Sequence, residues 1–229
     1  MAKAPRPGKV KTRLAPPLTL EQSAALNICF LRDTTQNIHD VSTISKAAGL
    51  ICYTPIGEES LFDGMLPQGF VLIPQRGDAF GERLLAAATD ILSCGFAAVC
   101  LIDSDSPTVP AHAFHQAVEE LLRPGDRIVL GGSDDGGYYL IGLKAPHAEP
   151  FTNISWSTST VYKETTDRIA QAGIELIKLP NWYDVDDGAT LNVLADELLH
   201  RKPPPFTSIP GYSAPHSRGF LSRLHEANQ

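Results

Sequence analysis

Six short apolar runs, most of them separated by amphipathic stretches, constrain the fold of this chain more than any other feature. They are "GLICYT" (49–54), "FVLIP" (70–74), "AAVCLI" (97–102), "RIVLG" (127–131), "YYLIGL" (138–143) and "IELIKL" (174–179). Each is too short for a helix of ordinary length and reads as a buried strand. Helical patterns fit 81–93, 111–122, 157–172 and 187–201, and Thr19-x-x-Gln22 forms a capping box that opens a helix to about Ile38. Strands alternating with helices predict an α/β fold with a mainly parallel central sheet covered on both faces. This reading gives one domain over 1–202. From Lys202 the composition shifts to "KPPPFTSIPGYSAPHS", which predicts a Pro-rich, extended tail over 203–229.

Charge narrows the partners. A net charge of −7 argues against nucleic acid or an anionic membrane surface. No apolar run has the length of a membrane span, and proline and charge stand where a signal peptide needs an apolar core. Cys29, Cys52, Cys94 and Cys100 form no CxxC pair, so the expectation is a cytoplasmic protein without disulfides or zinc.

Ligands of such sheets bind beyond the carboxyl ends of the strands, which directs attention to the polar residues there. The basic segment "KAPRPGKVKTRLAPPL" (3–18) is the exception in an acidic chain. Pro7-Gly8 marks a turn, and Gly8 lets backbone amides approach an anion. Lys9, Lys11 and Arg13 alternate with Val10 and Thr12, which suits a di- or triphosphate. From charge alone a solvated basic loop fits equally well, and the Walker A pattern does not fit.

Four acidic or polar stretches follow. In "VCLIDSDSPTVP" a buried run delivers Asp103 and Asp105 to a strand end, where a carboxylate facing phosphate would hold Mg²⁺ or Mn²⁺; capping the next helix is the plainer role. "GGSDDGGYYLIGL" resembles a tight hairpin, yet its glycines also fit a loop pressed against a sugar, with Asp135 as base or hydroxyl anchor. In "NWYDVDDGATL" Asp187 is the natural N-cap, which leaves Asp184 and Asp186 without a local job. In "QRGDAFGERL" Gln75 and Gly77 lie between a strand end and a helix, where Gln75 could read a base edge. The histidines show no zinc spacing.

Together these stretches resemble the GT-A-type nucleotide-diphospho-sugar transferases, and within them a glycosyltransferase group close to phospholactate guanylyltransferase and the molybdenum-cofactor nucleotidyltransferases. "KAPRPGKVKTRLAP", "QRGDAFGER", "DSDSPTVP", "DDGGYYLIGL", "ISWST" and "WYDVDD" occur in that group's order over residues 3 to 195. The resemblance implies a Rossmann-like three-layer sandwich. It implies that Gly8, Lys11, Thr12 and Arg13 hold nucleotide phosphates, and that Gln75 and Gly77 contact base or ribose. Asp105 and Asp186 would bind the metal. Asp135, Gly136, Gly137 and Tyr138 would lie near sugar or acceptor. Trp156 and Ser157 match a segment without an assigned role.

Two departures stand out. Members of the group begin with an apolar strand before the basic loop, whereas only Met1-Ala2 precede Lys3 here, which suggests a truncated start and a poorly anchored loop. Asp103 replaces the usual glycine. The resulting expectation is a metal-dependent glycosyltransferase acting on a nucleotide-diphospho-sugar, with Lys11, Arg13 and Asp135 catalytic. The alternatives are a nucleotidyltransferase joining an NTP to a phosphorylated acceptor, and a nucleotide-binding protein without catalysis.

Overall fold

Thr19 begins the longest helix as its capping box requires: its hydroxyl accepts the Gln22 N–H at 3.1 Å, and Gln22 accepts the Thr19 N–H at 2.8 Å. The computed structural model describes residues 1–227. Its strands are β1 (Ala2–Lys3), β2 (Leu50–Thr54), β3 (Val71–Pro74), β4 (Val99–Ile102), β5 (Arg127–Ser133), β6 (Tyr138–Leu143) and β7 (Glu175–Trp182). Its helices are α1 (Leu20–Ile44), α2 (Phe80–Ser93), α3 (Ala111–Leu122), α4 (Val161–Gln171), α5 (Gly188–His200) and α6 (Pro215–Ala227). The α/β architecture and all six anticipated strands are present. Helix α4 starts four residues later than expected because Ser157 takes a left-handed backbone, φ 64°, which a helix cannot contain.

The chain divides into two compact units that interleave in sequence. The first comprises Met1, Ile73–Asp103 and His112–Tyr183. Its sheet has the order β4-β6-β5-β7. Strand β6 is antiparallel to β4 and β5, and β5 is parallel to β7, so three of the four strands run one way and only β6 is reversed. The reversal comes from the turn after β5. The Ser133 N–H donates to the Gly137 carbonyl at 3.0 Å and the Gly136 N–H to the Ser133 carbonyl at 3.2 Å, with Gly136 at φ 91°. A three-residue loop closed by a positive-φ glycine is a favoured hairpin. Strands β5 and β6 are buried along nearly their whole length, with α2 against β4 and α4 against β5 and β7.

The second unit comprises Ala2–Leu72, Ser104–Ala111 and the chain from Asp184 onward. Here β1 lies parallel to β2, with Ala2 opposite Tyr53 and Lys3 opposite Thr54. Two residues of parallel strand thus precede the basic loop, and the Ala4 N–H extends the pairing by donating to the Thr54 carbonyl at 2.8 Å. Ala2, Ala4, Leu31, Ile51, Tyr53 and Phe62 form an apolar cluster beneath it. The anticipated extended tail also needs correction. Residues 203–214 carry no helix or strand, but Pro215 opens α6, which packs against α1 and α5. Proline is well suited to the first turn of a helix, so the proline-rich composition concealed a helix start. Among the described residues no helix is long and apolar enough to cross a membrane.

Candidate functional site

The basic loop folds as its residues dictate. The Lys9 N–H donates to the Arg6 carbonyl at 3.0 Å across Pro7-Gly8, with Gly8 at φ 71°, which is the type II arrangement of proline then glycine. Val10, Leu14 and Leu18 are buried at four-residue intervals, and the short 3₁₀ turn Thr12–Leu14 rests on α1 and α5. The loop is thus anchored through its apolar residues, contrary to the expectation drawn from the missing strand. Lys11 itself takes a left-handed backbone, φ 47°, a conformation that costs a non-glycine residue roughly 1 kcal/mol.

What Lys11 gains is a place between two acids. Its Nζ lies 2.7 Å from Asp186 Oδ1 and 2.9 Å from Asp105 Oδ1, with the side chain only 5% exposed. The ammonium also stands 5.8 Å from the centre of the Phe30 ring, within cation–π range. Burial works against the charge, but the charges and hydrogen bonds of Asp105 and Asp186 outweigh it and hold the pKa above its ordinary value. Arg13, 71% exposed, pairs with the other oxygen of Asp186.

The acids reach this point by separate routes. Asp105 follows β4, and its carbonyl accepts the Val185 N–H at 2.9 Å, which sets Asp186 beside it. Asp187 caps α5, accepting from the N–H groups of Ala189 and Thr190 at 3.0 and 2.9 Å. That frees Asp186 to face Lys11.

These residues line a cavity of about 250 Å³, together with Lys3, Lys9, Val10, Thr12, Asn27 and Ser104. All belong to the second unit. Four cations face two carboxylates, so the lining favours an anion. The volume is below the roughly 300–1,000 Å³ of sites that enclose a drug-sized ligand and suits the phosphate end of a nucleotide. Lys3, Asn27 and Ser104 escaped the sequence reading. Asn27 is 3% exposed on α1, with its Oδ1 buried and lacking a hydrogen-bond partner among the described residues. A polar residue on the buried stripe Ser23, Asn27, Thr34, Asn37 was the available signal.

For a divalent cation the protein offers Asp105 and Asp186. Among the described residues no group of three or more His, Cys, Asp or Glu is placed to hold a metal. Two hard oxygens close enough to share one ammonium fit Mg²⁺ or Mn²⁺ when phosphate and water complete the shell.

The remaining sequence-predicted residues lie in the first unit. Gln75 and Gly77 lie between β3 and α2. Gly77 has φ 113°, and a Cβ there would meet Glu82 Cβ at 2.9 Å, while Glu82 accepts the N–H groups of Asp78 and Ala79. The start of α2 accounts for this glycine. Asp135 accepts the Gly137 N–H at 2.7 Å inside the hairpin, so it has a turn-forming role. Tyr138 joins an aromatic cluster, its ring centre 6.4 Å from Trp156, which is 5.0 Å from Phe80. Burial pushes the Tyr138 hydroxyl pKa up. Asp103 continues β4, its N–H donating to the Tyr139 carbonyl at 2.9 Å.

Comparison with other proteins adds a family context. Residues 37–158 match a family described as "Uncharacterized protein conserved in bacteria (DUF2064)". The chain is similar to the crystal structure of a presumed nucleotide-diphospho-sugar transferase from Desulfovibrio desulfuricans G20. The two share 31% identity with a TM-score of 0.77, over 98% of this chain and 95% of the other. It is also similar, at 10% identity and a TM-score of 0.49, to CMP:2-keto-3-deoxy-manno-octonic acid synthetase complexed with CTP, over 73% of this chain and 88% of that one. None of the curated proteins matches it.

Proposed function

The chain belongs to the DUF2064 family, and from that starting point we propose that it is a metal-dependent glycosyltransferase that uses a nucleotide-diphospho-sugar. The observation that carries this reading is the cavity in which Lys3, Lys9, Lys11 and Arg13 surround Asp105 and Asp186. Its support is the 31% identity, over nearly the whole chain, to a presumed transferase of that substrate class.

The chemistry follows from where charge develops. In glycosyl transfer the bond between sugar C1 and the diphosphate oxygen breaks, and negative charge grows on the β-phosphate. Lys11, buried and already charged, and Arg13 at the cavity mouth stabilise that charge as it forms. Gly8 and Thr12 shape the loop that presents them. Asp105 and Asp186 would hold Mg²⁺ or Mn²⁺, which when bound neutralises phosphate charge. Gln75 and Gly77 are proposed for base or ribose. On the acceptor side, Asp135, with Gly136, Gly137 and Tyr138, is proposed as hydroxyl anchor or base.

The same phosphate cavity serves a nucleotidyltransferase, in which the α-phosphorus bond breaks instead. Product analysis distinguishes the two. Incubation with Mn²⁺ and a panel of UDP-, GDP-, CDP- and ADP-sugars should release the nucleoside diphosphate slowly by hydrolysis. Release of pyrophosphate from an NTP with a phosphorylated acceptor, and no release of nucleoside diphosphate from any nucleotide sugar, would replace the first reading with the second.

A further inference from the structure

Lys11 occupies the place that a metal ion shared by Asp105 and Asp186 would take. Its ammonium lies within 2.9 Å of an oxygen from each. Asp186 has its second oxygen on Arg13, and the Ser104 hydroxyl donates to Asp105 Oδ1 at 3.3 Å. A divalent cation entering alone would therefore have to displace the ammonium and leave it buried with no counter-charge, a costly arrangement. A phosphate in the same cavity removes that obstacle by giving Lys11 another anion.

We propose that Lys11 is an internal counter-ion that keeps the Asp105–Asp186 pair from binding a divalent cation until a phosphate ligand draws its ammonium away, so that metal and phosphate bind cooperatively. This rests on the proposed reading of the cavity as a phosphate and metal site, and it adds an order of events. By linkage, whatever phosphate does for metal affinity, metal does for phosphate affinity. The left-handed backbone at Lys11 fits a residue held in one position by its ion pairs rather than by local preference.

The test reads metal binding without turnover. Free Mn²⁺ is followed by its EPR signal as protein is added with no nucleotide present. Lys11→Met, which keeps the side-chain length and removes the charge, should bind Mn²⁺ at least tenfold more tightly than the wild type. Lys11→Met combined with Asp105→Asn should lose that gain. Lys11→Gln serves if the methionine variant does not fold. In the wild type, inorganic pyrophosphate and Mn²⁺ together should raise Tm by more than the sum of their separate effects; in the variant that excess should shrink, because only direct metal–phosphate contact remains to couple them.

Wild type and variant binding Mn²⁺ alone with equal affinity would overturn the inference, as would a variant that binds none. Absence of turnover with every nucleotide sugar, alongside the predicted Mn²⁺ pattern, would sink the proposed reaction and leave this inference standing.

Discussion

Val185 donates its backbone N–H to the carbonyl of Asp105 at 2.9 Å. That single bond registers the segment after β4 with the segment before α5, and it uses no side chain. The two acids of the cavity are therefore neighbours whatever their charge state, and side-chain substitutions test the chemistry of the site without dissolving its frame.

Asp186 and Arg13 should differ sharply in their effect on stability. Replacing Asp186 with alanine leaves the buried Lys11 ammonium with Asp105 alone, and should lower the unfolding free energy by about 1–3 kcal/mol. Arg13 is 71% exposed, and Arg13→Ala should change stability by no more than ~0.5 kcal/mol while weakening phosphate binding. Urea unfolding at pH 7 measures both, and equal losses would contradict the account of Lys11.

Asp135 and Gly136 separate a turn from a catalytic role. A Cβ at Gly136 would lie 2.1 Å from the Ser159 carbonyl oxygen, and the residue sits at φ 91°. Gly136→Ala should therefore destabilise the chain by more than ~1 kcal/mol. Asp135→Asn keeps an oxygen to accept the Gly137 N–H and should fold normally. If Asp135 acts on the acceptor, that variant should lose on the order of 100-fold in rate; unchanged turnover would assign it to the hairpin alone.

Several of these features were legible in the sequence because they are local. The Thr19–Gln22 capping box, the Asp187 N-cap and the hairpin at Asp134–Gly137 are each encoded within a few residues. The pairing of Lys11 with Asp186, 175 positions apart, is not local. Resemblance of motifs assigned one to phosphate and the other to metal, but nothing in the spacing said that the ammonium would sit between both acids. Helix α6 was missed because its cap comes from elsewhere in the chain. Asp33 on α1 supplies it, 183 positions before His216, so a window around Pro215 does not contain it. Asn27 was hidden by the same non-locality, as its site is completed by residues near positions 11 and 105.

That distant cap gives a pH-dependent prediction. The fully buried Asp33 accepts the N–H groups of His216 and Ser217 at 2.9 and 2.8 Å, and the Ser217 hydroxyl at 2.6 Å. Burial raises its pKa above the ordinary 3.8, although these donors oppose the shift. The folded chain thus keeps this proton at a pH where the unfolded chain has lost it. The group's contribution to stability is greatest below pH 3.8 and falls as pH rises through the raised folded value. Across that window Asp33→Asn should lack this fall. Asp33→Ala should cost about 1–3 kcal/mol at neutral pH and speed proteolytic cleavage near residues 203–214. Wild-type and Asp33→Asn stabilities that run parallel across pH 3–6 would contradict this.

The central claim is that the loop bearing Lys11 and Arg13 meets Asp105 and Asp186 to hold a nucleotide diphosphate with a metal. Isothermal titration of UDP, GDP, CDP and ADP, each with and without Mn²⁺, into wild type and Asp105→Ala tests it most directly. The account predicts at least one nucleotide whose binding tightens tenfold or more with Mn²⁺ in the wild type and is indifferent to Mn²⁺ in the variant. Equal enhancement in both proteins, or no binding of any of the four under either condition, would contradict it.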